Sequence, residues 1–192
     1  MSSVLLFAGC LSVGAAALGW AAGQRAKARY EEQRRGAGGG DVARADGDDE
    51  GALGLGDVLT RPGGADTVLE GALDAREGET RVLSLFFGTG GAIVGAFPAP
   101  RMGVLWLRRA DDAPRDTPSV LSTPAGELDR KTRATVSLFG RGVGAPSLGG
   151  EAVLAEYAGA TGAAILLVGA EGALLAVGEA VAWSDVERLP GA

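Results

Sequence analysis

The chain opens on nineteen residues without a charge, Val4 to Ala22 (VLLFAGCLSVGAAALGWAA), of which only Ser12 is clearly polar. As a helix such a run is about 28 Å long, close to the thickness of a bilayer's hydrocarbon core. The pattern predicts a transmembrane anchor over residues 1–23. Good helix formers continue over 24–35 and stop at the glycines beginning with Gly36. From there to Gly64 the chain is mostly Gly, Asp and Ala with little to bury, which predicts a flexible linker over 36–64. Residues 65–192 are enough for one domain with its own core.

Within that domain, Asp66 is placed to cap a helix from Thr67 to Arg76, with Val68, Leu69, Ala72 and Leu73 on one face. Arg81 to Phe87 (RVLSLFF), a Gly88–Gly91 turn and Ala92 to Phe97 (AIVGAF) predict a hairpin. Gly103 to Arg108 predicts a third strand. Pro114, Pro118 and Pro124 predict a loop broken by a short strand at Val120-Leu121. Arg133 to Phe139 reads as a strand, followed by a glycine-rich loop from Gly140 to Gly150. Glu151 to Ala158 reads as a helix with Val153, Leu154 and Tyr157 inward. Ala163 to Val168 (AAILLV) is apolar throughout, as in a strand buried on both faces, and Ala173 to Val177 returns from it. Ser184 and Glu187 form a capping box for a short last helix. A helix followed by a hairpin thus occurs twice, Val68-Leu69 and Val153-Leu154 standing 85 residues apart. The expected fold class is α+β: an N-terminal transmembrane helix, then a mainly antiparallel sheet with flanking helices.

Charge gives the anchor a direction. Arg25, Lys27, Arg29, Arg34 and Arg35 follow the apolar run, so the domain is expected on the cytoplasmic or stromal side of a membrane, held by a single pass. Gly19 and Gly23 are spaced for close helix–helix approach, which points to self-association or to a membrane-protein partner. The net charge of −6 argues against nucleic-acid binding. The middle of the chain is locally basic, with Arg101, Arg108, Arg109, Arg115, Arg130, Lys131, Arg133 and Arg141. Interleaved acids (Asp111, Asp112, Asp116, Glu127, Asp129) favour a solvated face there over a surface for anionic lipid or an acidic partner.

Catalytic chemistry is sparse. Histidine is absent, and the one cysteine, Cys10, lies in the apolar run. The usual general base, Ser-His-Asp arrangements and thiolate chemistry are therefore missing from residues 65–192. Asp46 to Glu50 (DGDDE) lacks the ligand spacing and flanking helices of a calcium loop, so no metal site is expected. The best candidate for a small ligand is Gly140-Arg-Gly142-Val-Gly144-Ala145, which follows a strand and precedes an expected helix, with Glu171 as a ribose acceptor. Against it, Pro146 separates the glycines from that helix, and the next strand turns back through a tight hairpin.

Ala163 to Leu189 (AAILLVGAEGALLAVGEAVAWSDVERL) is similar to the end of GAF, profilin or roadblock-like small domains, as in thylakoid cytochrome-complex assembly factors that carry an N-terminal anchor. The resemblance covers about thirty residues. It implies a contact or scaffold role without a cofactor, and transfers no ligand residue. The expected function is a non-catalytic, membrane-anchored accessory, scaffold or assembly protein of a membrane complex, and not an enzyme. The alternative is a small-ligand or nucleotide sensor using Gly140, Gly142, Gly144 and Glu171.

Overall fold

Eight antiparallel strands close on themselves into a barrel. The computed structural model describes residues 53–99, 101 and 103–191. Its strands are β1 (Val58–Thr60), β2 (Thr67–Glu77), β3 (Thr80–Gly88), β4 (Ala92–Phe97), β5 (Gly103–Arg109), β6 (Val120–Thr123), β7 (Gly126–Gly142), β8 (Glu151–Ala158), β9 (Ala163–Gly169), β10 (Gly172–Val181) and β11 (Glu187–Leu189). Around the barrel the order is β2-β3-β4-β5-β10-β9-β8-β7, and β7 pairs back onto β2. Two four-stranded meanders, β2–β5 and β7–β10, therefore meet at two seams, β2 with β7 and β5 with β10.

The strands form where the pattern alternates or where both faces have something to cover. Inward residues such as Leu73, Leu85, Ile93, Leu107, Val136, Leu154, Ile165, Leu167 and Leu174 fill the barrel. The outer wall is also apolar over two areas. One, with Leu69, Ala72, Phe86, Val94, Val104 and Trp106, lies with Leu53 and Leu59 under the flap of β1 and β11. The other, with Ala155, Tyr157, Ala164, Leu166 and Leu175, packs with Leu121 of β6 and with Ala110 and Ala113 of the strap, residues 110–119. This double demand explains the unbroken apolar run of β9: Ala163, Ile165 and Leu167 face inward, while Ala164 and Leu166 face the second outer area.

The expected α+β class is corrected: this is an all-β barrel, and the described residues contain no α-helix, only single 3-10 turns at Thr89–Gly91 and Trp183–Asp185. The helix expected from Thr67 is β2. A β-bulge between Leu69 and Gly71 shifts the alternation by one residue, so Leu69, Ala72 and Leu73 acquire helix-like spacing in an extended strand. The helix expected at Glu151 is β8, whose apolar residues are shared between the interior and the outer wall; a short strand covered on both faces has the periodicity of a buried helix. The last helix gives way to a 3-10 turn and to β11, which pairs with β1 from the far end of the described residues, Val58 opposite Leu189. The hairpins β3–β4 and β9–β10 and the short strand β6 lie where the pattern placed them. The sequence likeness at 85-residue spacing matches β2 to β8, one strand away from the β2-to-β7 correspondence set by the closure.

The folded unit also begins before residue 65, because Leu53, Asp57 and Leu59 are buried. The expected transmembrane helix and the single-pass membrane localisation built on it are corrected as well: among the described residues no helix is long and apolar enough to cross a membrane. Their apolar stretches are strands facing the barrel interior and its two covers. Val4 to Ala22, with Gly19 and Gly23, and the segment over 24–35 lie outside the described residues.

Both seams rely on glycine. A Cβ at Gly71 would come 2.0 Å from the Val143 carbonyl oxygen, and one at Gly178 would come 2.0 Å from that of Trp106. Gly178→Ala is therefore expected to push β10 off β5 and to lower stability by about 1–3 kcal/mol. At Gly140 a Cβ would meet nothing within 4 Å, so Gly140→Ala is expected to stay within about 0.5 kcal/mol of wild type. Urea denaturation of the two variants side by side checks the contrast, and equal midpoints would refute it.

Candidate functional site

The residues named for small-ligand binding meet at one end of the barrel. Gly140 and Gly142 end β7, opposite Leu73 and Gly71 of β2. The chain then runs through Gly144 and drops Leu148 into the barrel end, where it is buried. Glu171, in the β9–β10 hairpin, accepts a 2.5 Å hydrogen bond from Ser147 Oγ, which ties the two turns together. A shallow depression of about 260 Å³ lies here, lined in part by Leu138, Gly140, Gly142, Pro146 and Ser147.

Local packing gives these glycines a different task from cradling pyrophosphate. Gly142 has φ +70°, and a Cβ on it would stand 2.3 Å from the Glu70 carbonyl oxygen. Its successor Val143 donates its N–H to that same oxygen at 2.9 Å. Gly142 thus lets β7 cross β2 and close the barrel. The element that follows the loop is strand β8, so no helix N-terminus points at the depression. The Glu171 carboxylate is held by Ser147.

The buried carboxylates are also held. Asp57 accepts from the Gly54 and Gly191 N–H groups at 2.7 and 3.0 Å and pairs with Arg188 at 2.8 Å, fastening the two ends of the folded unit together. Asp74 accepts from Ser84 Oγ at 2.6 Å and pairs with Arg141 at 3.3 Å on the outer wall. Glu156, on the inward face of β8, takes both ends of the Arg101 guanidinium, which also lies 4.3 Å from the Phe97 ring centre. The hydrogen bond to Glu156 raises the Arg101 pKa further, so this arginine stays charged.

A second depression, of about 540 Å³, carries charge that is not neutralised in this way. Arg115, Asp116 and Thr117 of the strap, Arg130 and Arg133 of β7, and Val153 and Val168 line it. Val153 and Val168 stand directly opposite each other in the β8–β9 register and form an apolar floor. Arg130 Nη1 donates to the Thr117 carbonyl oxygen, and Arg133 Nε donates to Thr117 Oγ1 at 2.9 Å. Arg115 makes no hydrogen bond or ion pair among the described residues, and neither Arg130 nor Arg133 is ion-paired there. Three guanidiniums thus meet one acid, Asp116, around an open recess.

Residues 130 and 133 would face opposite sides of a regular strand. A bulge between Arg130 and Thr132 removes that alternation, and both arginines reach Thr117. In the sequence these residues belong to a basic stretch interleaved with acids, the pattern of a solvated face. Their odd spacing hid the convergence, and the strap that completes the recess carries no regular pattern. Two prolines around a basic residue, Pro114 and Pro118 about Arg115, are the one signal available.

Tyr157 anchors the strap from beneath. Its hydroxyl donates to the Pro118 carbonyl oxygen at 2.9 Å. Burial, the largest influence, pushes its phenol above the ordinary value near 10; Arg130 opposes the shift and Asp116 adds to it. The folded state thus holds this proton more tightly than the unfolded chain. The associated stability is complete below the unfolded phenol's pKa and is lost as pH rises through the folded value. Urea midpoints measured between about pH 8 and pH 11 should fall more steeply for wild type than for Tyr157→Phe. Parallel slopes would show that the phenol is not held in this way.

No protein-family model, curated protein or solved structure matches this chain, so the functional reading rests on its own geometry.

Proposed function

We propose that the barrel is a non-catalytic docking module, an accessory or scaffold domain that holds an acidic partner through the Arg115–Arg130–Arg133 recess. One observation carries the reading: three guanidiniums, two of them braced on Thr117, converge on an open recess and are not ion-paired among the described residues. Charge-assisted contacts to a carboxylate or phosphate are the chemistry such an array performs best. The surroundings agree. The buried carboxylates Asp57, Asp74 and Glu156 are engaged in holding the fold. The barrel interior is packed with side chains. The sensor alternative at Gly140, Gly142 and Gly144 is less favoured, because Gly142 serves the strand closure and Glu171 is tied to Ser147.

The test compares affinity-purified full-length wild type with the double variant Arg115→Glu, Arg133→Glu. An acidic protein should co-purify with wild type and dissociate as salt is raised above about 0.15 M, because partly exposed charge pairs are screened. It should be missing from the variant, whose circular dichroism should remain that of a folded barrel. Equal recovery on both baits would overturn the proposal.

A further inference from the structure

The recess discriminates among anions by its shape as well as its charge. Arg133 has Nε committed to Thr117 Oγ1, which leaves both Nη groups for a ligand. Arg130 has Nη1 committed to the Thr117 carbonyl, which fixes the plane of its guanidinium. Arg115 offers its whole fork. A single carboxylate carries one charge and is matched by one bidentate arginine. A phosphate monoester carries close to two charges near neutral pH and three strong acceptor oxygens, enough for three guanidiniums. Bracing two of the three in advance lowers the ordering cost of binding.

The floor adds a second requirement. Val153 and Val168 offer no hydrogen bond, so inorganic phosphate alone would leave them wet. An apolar stem between phosphate and carrier covers them. At about 540 Å³ the recess has room for an aromatic ring.

We propose that this recess takes a phosphate monoester on an apolar stem, the phosphate against Arg115, Arg130 and Arg133 and the stem on Val153 and Val168, as presented by a phosphorylated side chain of a partner protein. The inference rests on the docking reading above and names its ligand chemistry. A protein-borne phosphate fits better than a lipid one, because the stem of a phospholipid stays inside its bilayer and leaves the valine floor bare.

The experiment titrates the full-length chain at fixed ionic strength with phenyl phosphate, inorganic phosphate and benzoate. Phenyl phosphate should bind about tenfold more tightly than inorganic phosphate through the added apolar contact. Benzoate, with its single charge, should be weakest. Val153→Thr conserves the floor's shape and adds a hydroxyl, so it should weaken phenyl phosphate and leave inorganic phosphate unchanged. Arg133→Lys keeps the charge and loses the fork, and should weaken both phosphates. A phosphotyrosine peptide should compete with phenyl phosphate, and its unphosphorylated form should not. Benzoate binding as tightly as phenyl phosphate would overturn the phosphate assignment, and insensitivity of phenyl phosphate to Val153→Thr would overturn the placing of the stem on the valine floor; either leaves the docking module standing. Tighter binding to phosphatidic acid vesicles than to the phosphopeptide would overturn the choice of a protein-borne phosphate. Loss of both anion binding and charge-dependent partner recovery would remove the two readings together.

Discussion

Closure of the sheet is the constraint from which the rest of the molecule follows. Two four-stranded meanders must meet twice, and at each seam a backbone carbonyl occupies the place of a Cβ: Val143 against Gly71, and Trp106 against Gly178. A larger residue at either position would force the strands apart. Once both seams are shut, the inward faces form a single packed interior and the barrel itself has no free edge.

A closed barrel still leaves its outer wall to water, and in two areas that wall is apolar. Each area needs a cover, and the two covers are fastened differently. The β1–β11 flap is held by a buried carboxylate, Asp57, which gathers Gly54, Gly191 and Arg188. Removing one member of such a group would strand a buried charge, so the clasp behaves as a unit. The strap is held mostly by its own backbone carbonyls, those of Thr117, Pro118 and Ser119, which accept from Arg130, from Tyr157 and from the Arg130 N–H. The second fastening therefore places arginines beside the strap without neutralising them. The candidate site is a consequence of how the second cover is attached.

This origin sets what could be read in advance. The hairpins β3–β4 and β9–β10 are marked by local glycine turns between apolar runs, and the continuous apolarity of AAILLV correctly places a strand between two packed surfaces. The features that defeat a local reading all depend on distant partners. In β2 a bulge imitates a helix, because it brings Leu69 and Ala72, three residues apart, to the same outer face, and only the pairing with β3 reveals the shift. In β8 the propensity of EAVLAEYA for helix yields to the surfaces on both sides of it. β11 exists through its pairing with β1. The same cause concealed the site: Arg130 and Arg133 share a face through a bulge, and Arg115 joins them through a strap held from below by Tyr157.

The distribution of arginine partners separates structural charge from available charge. Arg61 faces Glu179, Arg101 faces Glu156, Arg141 faces Asp74 and Arg188 faces Asp57, so each of these cations is already matched. Arg76 lies over the Phe139 ring at 5.1 Å. In the recess the acceptors are instead a backbone carbonyl and a hydroxyl of Thr117, which orient a guanidinium without removing its charge. On a chain of net charge −6, a local excess of positive charge above an apolar floor is a place where an anion gains by binding. The bulge in β7, which looks like a defect in the longest strand, is what aims two of those three guanidiniums to the same side.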